Sequence, residues 1–253
     1  MHPAAAVLRG RRTPGWAAAA AGATLVALVA GLIAAGPIPP AGPPRSVPAA
    51  WDEPAVPVTV VGDSLSSGYR TPGDPWTVPA QALLDADGIP MTLTNASGPG
   101  SGYVAQGAGG ATFADYVIAG VSARTRAVIL FGSDNDLRDG AVPDGYADAV
   151  AATLRLVRAI APAALVIVVG PPGTLANPAA GLTALDDTLG GVTLDNGAIF
   201  VDALDWFAGA DAGYLGPDGE HPDVAGESYL AYRFVTLLTA LRAGRENLVT
   251  RIR

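Results

Sequence analysis

Val58-Thr59-Val60-Val61-Gly62-Asp63-Ser64-Leu65 decides how the chain is read. Four β-branched residues in a row suit a strand that is buried on both faces. Gly62 and Asp63 end the run, and Ser64 stands just past the break. In sheets of parallel strands, ligands sit beyond the carboxyl ends of the strands, so a hydroxyl there is well placed for chemistry.

The same pattern recurs downstream. Short apolar runs at 92–94, 127–131, 165–169 and 199–201 are bounded by Gly, Pro, Asp or Asn and read as further strands. Between them, amphipathic spacing predicts helices over 78–87, 113–121, 144–160 and 182–189, with 224–242 closing the chain. In the third, Tyr146, Val150, Leu154, Val157 and Ile160 fall on one face, and Pro143-Asp144 suits its start. Alternating strands and helices imply a parallel sheet covered on both sides, a three-layer α/β/α sandwich with five strands.

Polar clusters follow four of the expected strands. Ser64 follows the first, and Asn95-Ala96-Ser97-Gly98-Pro99-Gly100-Ser101-Gly102 follows the second. Gly132-Ser133-Asp134-Asn135-Asp136 follows the third, and Asp218-Gly219-Glu220-His221-Pro222 comes after the fifth. A serine nucleophile needs a base, and the chain has two His, of which His2 lies in the leader. His221 is therefore the candidate in the domain. Asp218, three residues earlier, can accept from its ring and fix the tautomer. A developing oxyanion could receive hydrogen bonds from the Ser64 N–H, a Gly N–H of the second cluster and the Asn135 amide.

Each motif alone also has a bland reading. Gly-Asp-Ser-Leu can be a plain turn, Asp-x-x-His a helix-capping pair near Val224, and Asn135 a turn cap. The glycine loop lacks G-x-G-x-x-G spacing, and Pro99 removes a backbone donor, which argues against dinucleotide binding. One available His and no Cys leave no metal-ligand cluster. Asp186, Asp187 and Asp205 read as solvated, and Tyr69, Trp76 and Tyr103 as lining a pocket or packing in the core.

In order and spacing, the four blocks resemble the SGNH (GDSL) hydrolase superfamily of esterases, lipases, thioesterases and carbohydrate deacetylases. The resemblance covers residues 58–242. It implies a flavodoxin-like sheet, Ser64 as nucleophile, His221 as base and Asp218 as its orienter. Ser64, Asn135 and one glycine would then form the oxyanion hole. Gly98, Gly100 and Gly102 all remain candidates, and counting from Asn95 favours Gly100. The family's third block reads Gly-x-Asn-Asp, so Asp134 is one residue extra. The activity implied is hydrolysis of a carboxylic ester, a short-chain acyl ester or an O-acetylated sugar, through an acyl-enzyme and without a cofactor. Acyl transfer on the same triad, and a non-catalytic glycan-binding module, are the alternatives. Asp134, Asp136 and Glu220 would make an acidic pocket edge that favours a neutral substrate.

The bulk composition limits the partners. The chain of 253 residues is 50% hydrophobic and carries a net charge of −8, with all 15 basic residues Arg. An acidic balance argues against nucleic acid or anionic lipid as the main partner. The partner expected is a small-molecule or glycan ester. Without Cys there is no thiol nucleophile and no disulfide.

The N-terminus sets an address. Arg9, Arg11 and Arg12 precede an uncharged run from Trp16 to Ala35, long enough to span a bilayer. Residues 1–35 are therefore expected to be a signal peptide or membrane anchor, and 36–57, rich in Pro, an extended linker. The hydrolase domain, 58–253, would then lie outside the cytoplasm, secreted or held at the outer face of the membrane. Contact with the membrane would come only through an uncleaved leader.

Overall fold

The computed structural model describes residues 55–244. The expected leader and all but the last three residues of the expected linker lie outside the described residues. Among the described residues, no helix is long and apolar enough to cross a membrane.

The strands are β1 (Val56–Gly62), β2 (Met91–Asn95), β3 (Ala127–Phe131), β4 (Leu165–Val169) and β5 (Ile199–Val201). They form one sheet in the order β2-β1-β3-β4-β5, and every pairing is parallel. Helices α1 (Ser64–Ser67), α2 (Thr77–Ala86), α3 (Phe113–Gly120), α4 (Tyr146–Ile160), α5 (Ala179–Asp195) and α6 (Val224–Arg242) connect and close it. The sandwich is the flavodoxin-like α/β fold that the sequence implies.

Alternation along the strands sorts the core into two layers. Val58, Val60, Ile129, Phe131, Ile167 and Val169 point towards α2 and α6, in one apolar cluster with Trp76, Leu84, Leu230 and Phe234. Trp76 stacks on Phe234 with centroids 3.9 Å apart, and Phe131 and Trp206 complete the aromatic group. Burial of each such ring contributes on the order of 2–3 kcal/mol. Val128, Leu130, Val166 and Val168 are buried on the opposite face, where α3, α4 and α5 pack side by side.

Strand order reverses between β1 and β3, because the chain moves to one side for β2 and to the other thereafter. Gly62 pairs with Phe131, so both strands end at the same level. The loops that follow them, with Ser64 and Asn135, therefore open at the switch point where such sheets bind ligands.

Several boundaries differ from the expected ones for local reasons. β1 starts at Val56 and includes Pro57, which lies before the ladder with β3 begins at Val58. α4 starts at Tyr146 because Gly145, at φ 79°, is its cap. α5 continues through Gly190-Gly191, where the sequence suggests a stop. A Cβ on Gly190 would meet the Phe200 ring at 2.9 Å, so that glycine serves close packing on β5.

Candidate active site

β1 delivers Ser64 into the first turn of α1, a four-residue helix with no signal in the sequence pattern. Asp63 caps it, accepting from the Leu65 N–H at 2.9 Å and from the Ser133 N–H at 3.0 Å. One carboxyl thereby ties the end of β1 to the end of β3. Burial, and then the charge of Asp134, push the Asp63 carboxyl up to about 8. Gly132 is required beside it: its φ is +107°, and a Cβ would lie 1.9 Å from Asp63 Oδ2. Behind Ser64, the Ser66 hydroxyl accepts from the indole N–H of buried Trp76 at 3.2 Å. The Ser64 N–H, first in its helix, has no intrahelical acceptor.

The loop after β2 contains the three candidate glycines, and the structure separates them. The Gly98 N–H donates to Gly62 O at 3.1 Å, and the Gly102 N–H donates to Ala105 O at 3.0 Å. The Gly100 N–H has no acceptor among the described residues. Gly98 and Gly102 answer packing needs instead. A Cβ at Gly98 would lie 1.8 Å from the Tyr116 hydroxyl, and one at Gly102 would lie 2.4 Å from Asp136 Oδ2.

Asp136 joins this loop to the one after β3. Its carboxylate accepts from the N–H groups of Tyr103, Val104 and Ala105 at 2.7, 2.8 and 2.6 Å. It is fully buried, and burial raises its carboxyl despite those three bonds. Asn135, held in the same turn, donates one amide N–H to Ser101 O at 3.2 Å, which leaves the other available to the cleft. The extra residue, Asp134, accepts from the Asn135 N–H at 3.0 Å and from the Asn177 amide at 2.9 Å. Burial and then Glu220 push its carboxyl up to about 6.

His221 and Asp218 form a closed turn before α6. Asp218 Oδ1 accepts the Glu220 and His221 N–H groups, both at 3.0 Å, while Oδ2 lies 2.9 Å from His221 Nδ1. Desolvation raises the Asp218 carboxyl. The N–H groups of His221 and Glu220, the imidazole and the Arg70 guanidinium outweigh it and hold the carboxyl well below the usual carboxylate range. The N-cap of α6 is Asp223, which accepts from the Gly226 N–H at 2.8 Å. Asp218 and His221 are therefore not needed for capping. Ser64, Gly100, Asn135 and His221 all line one cleft of about 390 Å³.

The GDSL-like Lipase/Acylhydrolase family matches residues 60–228, from within β1 into α6. A GDSL lipase of Mycobacterium tuberculosis is 33% identical over 219 residues, covering 84% of this chain and 93% of that protein. The chain belongs to the GDSL-like lipase/acylhydrolase family. Membership makes it an ester-hydrolysing serine hydrolase. Solved structures share its fold. TesA superposes with a TM-score of 0.58 at 24% identity, covering 73% of this chain and 99% of its own. A carbohydrate esterase of family 3 from Talaromyces cellulolyticus gives 0.56 at 19%, covering 74% and 98%. A two-domain esterase active on acetylated mannans gives 0.56 at 16%, covering 78% of this chain and 52% of its own.

In this acylhydrolase the five expected site positions fall at one edge of the sheet, while several neighbours differ from expectation. Asp136 is not part of an acidic pocket edge, because three backbone N–H groups hold it in the interior. Asp186 is buried rather than solvated, and burial, then Asp202, push its carboxyl up to about 7. Trp76 and Tyr103 belong to the core, and of the three aromatics only Tyr69 reaches the cleft. Arg70 and Glu227 were not visible as site residues, because neither sits in a motif and both act across long sequence separations. A larger depression of about 550 Å³, lined by Leu83, Tyr232 and Val235 among others, carries one acid, Asp87, and no nucleophile with a base.

Proposed function

We propose that this acylhydrolase cleaves a neutral, short-chain ester, such as an O-acetylated sugar, through an acyl-enzyme on Ser64. The observation that carries this reading is the convergence of Ser64, Gly100, Asn135 and His221 on one small cleft, with Asp218 on the far nitrogen of the imidazole. Ser64 Oγ attacks the ester carbonyl as His221 Nε2 takes its proton, and Asp218 holds the tautomer that permits this. The Ser64 N–H, the Gly100 N–H and the Asn135 amide donate to the oxyanion. The imidazolium then protonates the leaving alcohol, and water activated by His221 releases the acid and frees Ser64.

A cleft of about 390 Å³ suits a short acyl group with part of its alcohol. Glu220 and Arg70 both line it, and because Arg70 is paired with Asp218 the balance disfavours an anionic partner. The shared fold of two carbohydrate esterases gives supporting analogy for an acylated glycan. The basic and then apolar N-terminus supports an extracytoplasmic site of action, where such glycans are met.

The test is labelling of the purified domain by a fluorophosphonate, alongside nitrophenyl esters of graded chain length and an acetylated polysaccharide. Wild type is expected to label and to favour the shortest acyl groups, and Ser64→Ala to do neither. Equal labelling of Ser64→Ala refutes the nucleophile, and a preference for long chains refutes the substrate class.

A further inference from the structure

Arg70 occupies an uncommon place. Its φ is +62°, a left-handed conformation that costs a non-glycine residue about 1 kcal/mol or more. The surrounding loop holds it there. Gly68, also left-handed, ends α1, and the Thr71 N–H donates back to Gly68 O at 3.3 Å. The Thr71 hydroxyl lies 3.0 Å from Pro222 O and 2.7 Å from Glu227 Oε1, and the Trp76 N–H donates to Glu227 Oε2 at 2.7 Å. Residues 68–76 are thus fastened both to α6 and to the residue after His221.

That fastening directs the Arg70 guanidinium onto the candidate triad. Nη1 donates to Asp218 Oδ2 at 3.2 Å, the oxygen that also faces His221 Nδ1. Arg70 Cζ lies 5.5 Å from the centre of the Tyr69 ring, and Tyr69 meets the His221 ring edge-on at 5.3 Å. Arg70, Tyr69, His221 and Asp218 therefore close a ring of contacts around the imidazole. With Arg70 in place, each oxygen of Asp218 has two donors.

We infer that Arg70 is a positioning residue for this reaction: by donating to Asp218 Oδ2 it fixes the carboxylate against His221 Nδ1 and so holds the imidazole in the orientation that its role as base requires. The inference rests on the proposed roles of Ser64, His221 and Asp218. Arg70 is 57% exposed on its side chain, so solvent and salt screen its contact with Asp218. The other groups facing the pair are Glu220, Asp134 and the Tyr69 ring, and they are unchanged in the variants below.

The experiment measures kcat and KM for a neutral nitrophenyl acetate, and the rate of fluorophosphonate labelling, from pH 4.5 to 9. It compares wild type, Arg70→Met and Arg70→Lys at low and high salt. Arg70→Met is expected to lose about tenfold, in kcat rather than KM. The loss should be larger at low salt than at high salt, because the Arg70 side chain is exposed. Arg70→Lys, which keeps a donor to Asp218, should recover most of kcat. A wild-type kcat in a folded Arg70→Met overturns the inference. So does a loss confined to KM, which would make Arg70 a substrate contact. If Arg70→Met fails to fold, Arg70→Ala takes its place, and a folded Arg70→Ala with wild-type kcat overturns the inference in the same way. A wild type that neither labels nor turns over fails at Ser64, and the inference falls with it.

Discussion

The Thr71 hydroxyl carries one proton but has two acceptors within reach, Pro222 O at 3.0 Å and Glu227 Oε1 at 2.7 Å. Both contacts are satisfied together only when Glu227 is protonated. Its hydroxyl then donates to Thr71, Thr71 donates to Pro222 O, and Oε2 accepts the Trp76 N–H. Burial acts in the same direction, pushing the Glu227 carboxyl from 4.5 to about 7. At 1.36 kcal/mol per pH unit, a shift of that size is worth about 3 kcal/mol. The folded-state value is the raised one, so this stability is complete below pH 4.5 and is lost as pH rises through about 7. Glu227→Gln preserves the bonding pattern without the titration: the amide NH₂ donates to Thr71 and its oxygen accepts from Trp76. Urea denaturation at intervals from pH 4.5 to 8.5, with the slope m checked for constancy, measures the difference. The two proteins should be similar at pH 4.5, and the variant should gain up to about 3 kcal/mol over wild type by pH 8.5. Parallel curves, offset by a constant at every pH, would refute the neutral carboxyl.

The remaining predictions concern the oxyanion donors and the loop that positions them. Asn135→Ala should lower kcat by about 10²–10³ while leaving near-UV circular dichroism intact, and an unchanged kcat would remove the amide from the oxyanion hole. Gly102→Ala places a Cβ 2.4 Å from Asp136 Oδ2 and should drive the carboxylate off its three N–H donors. The expected cost is about 2–5 kcal/mol in thermal or urea unfolding, and a loss within about 0.5 kcal/mol would contradict this account of the loop.

The architecture was legible because burial leaves a direct imprint on composition. β3 and β4 are buried at every residue, and their boundaries could be taken from the apolar runs alone. α6 was equally clear, since the helix expected over 224–242 has the bounds observed. Failures came where a glycine had a reason outside its own segment. Gly190 reads as a helix stop, yet it is small because Phe200 lies against it. Gly98 and Gly102 stay candidates beside the favoured Gly100 in the sequence, yet their sizes are set by Tyr116 and Asp136 across the loop. Only Gly100 has its N–H uncommitted among the described residues, a difference that rests on bonds to Gly62 O and Ala105 O.

The same limit explains the acids. By composition an Asp or Glu belongs on the surface, so Asp63, Asp136 and Glu227 drew no structural role in the sequence. Each instead replaces missing secondary structure by collecting backbone N–H groups from irregular segments: Leu65 and Ser133 for Asp63, residues 103–105 for Asp136, and Trp76 for Glu227. A loop that must face a cleft cannot pair its N–H groups in a sheet or helix, and leaving them buried and unpaired costs about 1–3 kcal/mol apiece. A buried carboxyl that accepts two or three of them offsets that cost and fixes the loop at once. The stability sacrificed in burying the acids is what holds Ser64, Gly100 and Asn135 at a common edge. The pH dependence expected of Glu227→Gln therefore tests a loop as well as a residue: it asks whether residues 68–76 are held to α6 by a neutral acid.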